Sequence, residues 1–268
     1  MEGEGIRGAM KPLRAWFADW LIMRSLRSHF RGVYLLDRDA PDPARPLIVF
    51  ANHHYWWDGY LLHLFARHWR PGQSMVWMRE LTSFPPFEAI GAMPFPEDDP
   101  IARAATLKRT LRALRSGPSL LFLFPEGDMH PAPHLAPFRQ GLHWLHSRLP
   151  EVDLKPVAIH IEQGIHQHPE AYIIAGPPYR CDSPDADSWL AAARGTIADM
   201  LDELAPERRP AISEFTCILA GRLSTDEYRC SGNRERGPKP VEGEQAATGP
   251  TESTSRGESR RARGKGPE

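Results

Sequence analysis

Cysteine is scarce. The chain has three, Cys181, Cys217 and Cys230, with no CxxC spacing and no even count. That excludes a disulfide framework and points to a reducing, cytosolic setting. No apolar run reaches the roughly 18 residues that would mark a transmembrane helix, and the opening Met1-Glu2-Gly3-Glu4-Gly5 lacks the basic start and apolar stretch of a signal peptide. A surplus of positive charge is missing as well. The net charge is −1, which argues against a strongly basic nucleic-acid binder. There is no GxSxG elbow to present a serine nucleophile. The histidines do not group as a metal set either: His130 and His134 flank prolines in a loop, and His160, His166 and His168 have no tight Cys or acidic company. No metal site is expected, and no internal repeat is present.

What is there begins with an apolar run, Pro46-Leu47-Ile48-Val49-Phe50-Ala51, which reads as a short buried strand. It leads into Asn52-His53-His54-Tyr55-Trp56-Trp57-Asp58-Gly59, and the next residues, Tyr60 to Arg67, read as a helix. A histidine and an aspartate therefore sit where a strand hands over to a helix, a usual place for chemistry in α/β proteins. In this HxxxxD spacing a turn can fold Asp58 back onto the ring of His53. A carboxylate on one ring nitrogen fixes the tautomer and leaves the other nitrogen to take a proton. A second apolar run, Ser119 to Phe124, ends in Phe124-Pro125-Glu126-Gly127. Two buried strands, each closed by a polar turn, imply one shared site at one edge of a sheet.

Together these motifs, NHxxxxD followed by FPEG, resemble the glycerolipid acyltransferase superfamily, the 1-acylglycerol-3-phosphate acyltransferases and their lysophospholipid relatives. The likeness runs from about Pro46 to Gly176. It implies transfer of a fatty acyl chain from acyl-CoA or acyl carrier protein, as co-substrate with no bound cofactor, to a hydroxyl of a lysophospholipid or lysophosphatidic acid. His53 would be the general base and Asp58 its orienting partner. Asn52, Pro125, Glu126 and Gly127 would serve the acceptor, Gly127 by allowing close approach to the backbone and Glu126 by accepting hydrogen bonds. The family's middle motif, a glycine followed by an arginine that meets phosphate, is incomplete here. Gly91 is followed by Glu97-Asp98-Asp99, with Arg103 a few residues on and Arg79 and Arg139 as further candidates. An acceptor without phosphate, such as a glycolipid, therefore stays open, as does a non-catalytic lipid-binding scaffold.

The rest of the chain supplies the frame. Between Met1 and Tyr34 there are six Lys/Arg against three Asp/Glu, and Leu13, Trp16, Phe17, Trp20, Leu21 and Leu26 recur with helical spacing. Residues 1–34 read as an amphipathic helix lying on an anionic membrane surface, which would place the protein peripherally on the cytoplasmic side of the cell membrane. Residues 35–222 read as the catalytic domain. Strands are expected at 74–78, 157–161 and 172–175, and helices at 101–115, from 138, and at 184–204. In the helix at 101–115, Ile101, Ala104, Leu107, Leu111 and Leu114 should face inward. Pro71-Gly72 should break the chain before the strand at 74. Strands alternating with helices predict a single α/β domain with a mostly parallel central sheet. Residues 223–268 turn rich in Gly, Ser, Glu, Arg and Pro and are expected to be disordered.

Overall fold

The computed structural model describes residues 2–40, 42–69, 74–83, 85–183 and 185–227, with side chains in the first helix from residue 13 onward. The break expected at Pro71-Gly72 and the tail from 228 lie outside these residues.

The elements run α1 (Glu2–His29), β1 (Gly32–Asp37), β2 (Leu47–Ala51), α2 (Asp58–Trp69), β3 (Ser74–Met78), β4 (Ala92–Pro94), α3 (Pro100–Ser116), β5 (Leu120–Leu123), α4 (Gly141–Arg148), β6 (Asp153–Glu162), β7 (Glu170–Ala175), α5 (Ala186–Glu203) and β8 (Thr216–Ala220). All eight strands form one sheet in the order β4-β3-β5-β2-β6-β7-β1-β8. Five pairings are parallel and two, β6 with β7 and β1 with β8, are antiparallel. The mostly parallel α/β sheet expected from the sequence is present.

β2 lies at the centre, between β5 and β6, and every one of its residues is buried. This is why it reads as an unbroken apolar run: a strand covered on both faces needs no polar alternation. Phe50 of β2 is level with Leu123 of β5. The two parallel strands therefore end side by side, and the turns after them open at the same edge.

Three strands escaped the sequence reading. β1 straddles the boundary expected at residue 34, so the sheet starts inside the segment assigned to the membrane helix. β4 is three residues long, and β8 is an edge strand; neither carries much periodic signal. Two assignments are corrected. In α3 the buried residues are Thr106, Thr110 and Leu114, while Ile101 is 81% exposed and Ala104 is exposed. The polar pair goes inward because each hydroxyl has a partner: Thr106 donates to the Pro94 carbonyl at 2.6 Å, and Thr110 accepts from the Trp77 indole at 3.0 Å. The tail boundary at 223 is too early, since Ser224 is buried and Glu227 pairs with Arg31 at 2.8 Å.

α1 carries apolar residues on two faces. Ala18, Ile22, Leu26 and Phe30, the last just beyond its end, enter the core. Leu13, Trp16, Phe17 and Trp20 stay exposed on the other side. Leu26 thus belongs to the docked face and not to the aromatic stripe. Arg31 is likewise unavailable to a surface, because it is bound to Glu170 and Glu227.

Candidate active site

β2 ends at Ala51, and the next residue is locked by its own amide. Asn52 is fully buried; its side-chain nitrogen donates to the Ile159 carbonyl at 2.9 Å and its side-chain oxygen accepts from the Ile159 amide at 2.8 Å. The side chain extends the pairing of β2 with β6 by one rung after the backbone has turned away. Asn52, expected to bind substrate, holds the turn and is not among the residues that line the neighbouring cavity.

The turn delivers His53 onto Asp58, the first residue of α2. Nδ1 of His53 lies 3.0 Å from Oδ2 of Asp58. The same oxygen accepts the backbone N–H groups of His54 and Tyr55, both at 2.8 Å. Asp58 is fully buried, and burial pushes its carboxyl up from the ordinary carboxylate range against the hydrogen bonds from His53 and the two amides, which pull it down. The positive end of the α2 dipole also favours its charge. The imidazole itself stacks on Phe124, with ring centres 4.1 Å apart. Its position is thus fixed in plane by Phe124 and in rotation by Asp58. With Nδ1 engaged, Nε2 is the nitrogen left to exchange a proton. His54, next in the chain, is buried and its ring is held below the usual histidine range by that burial, in keeping with the structural role expected of it.

Glu126 links the second motif to the first. One carboxylate oxygen accepts the backbone N–H of His53 at 2.7 Å, and the other accepts that of Ala136 at 2.8 Å. The residue is buried and does not line the cavity. Glu126 was expected to bind the acceptor; here each of its oxygens holds a backbone donor, an arrangement that positions the His53 turn. A further bond, from the His130 amide to the His53 carbonyl at 2.9 Å, ties the same two loops. Gly127 adopts φ +78, and a Cβ there would stand 2.4 Å from the Arg139 side chain. The close approach that glycine permits is made by Arg139.

His53 borders a cavity of about 880 Å³, within the range of small-molecule sites. Its body is apolar, with Met75, Val76, Phe122, Leu123 and Leu142 among the walls, and Pro125 lines it beside the second motif. Arg79, Arg103 and Arg139 all stand on its rim, so the structure gathers the three arginines that the sequence placed far apart. Each is engaged: Arg79 with Asp128 and the Gly127 carbonyl, Arg139 with Glu97 and Asp128, Arg103 with the Glu97 carbonyl. Sequence reasoning missed Phe124 as the stacking partner of His53, Asp128 as the shared counterion, and Trp56, which is 62% exposed and lines the cavity beside His53. Only the FPEGD run hinted at Asp128; nothing in the pattern marked the other two.

Residues 33–160 match the protein-family model described as Acyltransferase. The matched stretch, slightly under half the chain, takes in β1 through most of β6 with both motifs. Over these residues the likeness to an acyltransferase read from the motifs is borne out. No curated protein matches the sequence. Among solved structures, the crystal structure of the 1-acyl-sn-glycerophosphate (LPA) acyltransferase PlsC from Thermotoga maritima is similar at 16% identity, with a TM-score of 0.49 over 76% of this chain and 83% of that one. A likeness at that level identifies no substrate for this chain.

Proposed function

We propose that this chain, whose residues 33–160 carry the acyltransferase pattern, moves a fatty acyl group from an acyl thioester, on CoA or a carrier protein, to a hydroxyl of a lysolipid. One observation carries the reading: the buried His53–Asp58 pair opens onto a large apolar cavity with a polar, charged rim. Such a cavity suits an acyl chain, and such a rim suits a head group.

In this mechanism the acceptor oxygen attacks the thioester carbonyl carbon while Nε2 of His53 takes the hydroxyl proton. The C–O bond forms and a tetrahedral oxyanion collects the charge. Asp58 steadies the imidazolium through Nδ1. When the intermediate collapses, the C–S bond breaks and the leaving thiolate takes the proton from Nε2. The ester and a free thiol result, and the imidazole returns neutral. Glu126 and Phe124 hold the ring so that little reorganisation is needed.

We further propose that the protein works as a peripheral protein on the cytoplasmic face of an anionic membrane. No helix among the described residues is long and apolar enough to cross one. The exposed stripe Leu13, Trp16, Phe17 and Trp20 continues along the same helix face into Arg24 and Arg27, and Arg24 lies over the Trp20 ring. Apolar side chains followed by basic ones suit insertion at the headgroup level. Ile22 of the same helix lines the cavity, and His29 stacks on Trp57 of the catalytic turn, so a membrane docked on α1 lies near the site.

The test is incubation of the purified protein with a labelled acyl-CoA and micellar lysolipids. A diacyl product formed in step with free thiol supports the reading. Lipid binding without thioester turnover across the acceptor panel favours a non-catalytic scaffold instead.

A further inference from the structure

The rim of the cavity is electrically balanced. Three arginines line it, Arg79, Arg103 and Arg139, and so do three carboxylates, Glu80, Glu97 and Asp128. The pairing is interleaved. Asp128 contacts both Arg79 and Arg139. Glu97 lies 2.9 Å from Arg139 and 3.4 Å from Arg79. The hydrogen bond from Arg79 holds the Asp128 carboxyl below its ordinary range, so it stays ionised near neutrality. Gly127 leaves room for this pairing, since its missing Cβ frees the space that Arg139 occupies.

We propose that Glu97 and Asp128 are specificity determinants that set this rim for an acceptor head group of no net charge, hydroxyl-rich or zwitterionic, and against a phosphomonoester. This rests on the acyl-transfer reading above. A phosphomonoester dianion entering here meets two guanidinium groups, Arg79 and Arg139, that already have anionic partners, while Arg103 is bonded to the Glu97 backbone carbonyl. To bind them it must displace a carboxylate or sit beside it, and like charges at such spacing repel. A head group without net charge meets no such opposition. Its hydroxyls can donate to the carboxylates and accept from the arginines, and a zwitterion can match both signs.

The experiment uses the full chain with one acyl-CoA donor and mixed micelles of fixed composition. Three lysolipids of equal chain length are compared near neutral pH: a monoacyl glycosylglycerol, lysophosphatidylcholine and lysophosphatidate. At least one of the first two should exceed lysophosphatidate in kcat/KM by about tenfold or more, the order expected for a few close charge contacts in water. Which of the two leads distinguishes a hydroxyl-rich from a zwitterionic acceptor. Glu97→Gln with Asp128→Asn should narrow the ratio, chiefly by lowering KM for lysophosphatidate. Glu97→Gln alone should move it the same way by a smaller step, and serves if the double variant does not fold. Lysophosphatidate as the best acceptor of the unaltered protein overturns the proposal, and so does an unchanged ratio in the charge-neutralised variants. Acylation of none of the three contradicts acyl transfer itself, a failure separate from that of the specificity.

Discussion

Single residues divide here into those that do chemistry and those that hold them, and stability separates the two. Asp58 is buried with a raised carboxyl, so the native state binds its proton more tightly than the unfolded chain does. Its linkage term therefore favours folding most at pH below the ordinary carboxylate range and is lost as pH rises through the raised value. At neutral pH the charge is a cost, retained for His53. Asp58→Asn keeps an oxygen for the amides of His54 and Tyr55 but cannot steady an imidazolium. We expect kcat to fall by about 10²-fold or more while Tm stays level or rises; a Tm loss with full activity would contradict this. Glu126 is the opposite case. Removing it in Glu126→Ala strands two backbone donors, one buried and one partly so, each bond to a charged group being worth about 1.5–3 kcal/mol. Thermal unfolding should fall by several degrees or more, and kcat should drop with little change in the acceptor KM. A selective rise in KM would restore the head-group role read from the sequence. The two amides were not legible in the sequence for a physical reason: a motif shows which carboxylate is present, and not which backbone amides the fold will place around it.

Among the elements, α1 shows how far periodicity can be read. The spacing of Leu13, Trp16, Phe17 and Trp20 marked the helix and its aromatic stripe. It did not show that Ala18, Ile22 and Leu26 form a second, docked face, because two apolar faces on one helix blur each other. A different cause misplaced Ile101 and Ala104 in α3, where two threonines with hydroxyl partners took the inward positions. Since α1 is part of the core, its exposed face is tested by substitution and not by removal. Trp16→Ser, Phe17→Ser and Trp20→Ser together should leave Tm nearly unchanged. They should weaken binding to anionic vesicles by well over about tenfold, each large side chain contributing about 1.5–3 kcal/mol when buried. Acylation of a short-chain, monomeric acceptor should survive. Vesicle binding that is unchanged in the triple variant, measured by co-sedimentation, would end the membrane role of this helix.

At the scale of the whole molecule, the topology explains why the two motifs could be read as one site from sequence. Central parallel strands announce themselves as unbroken apolar runs, and β2 and β5 are neighbours whose ends coincide. The rim was legible only as separate arginines, because its counterions come from the loop before α3 and from the turn after β5, and only the folded sheet brings these together. The central claim is that the sheet edge holds His53 as the base for attack of a lipid hydroxyl on a thioester. Its most direct test is pre-steady-state thiol release from acyl-CoA, measured with saturating lysolipid acceptor in the unaltered protein and in His53→Ala. Release should depend on the acceptor and slow by about 10²–10⁴-fold in the variant, while the variant's thermal unfolding stays close to that of the parent. Thiol release and product formation at the parent rate in a folded His53→Ala protein would contradict the claim.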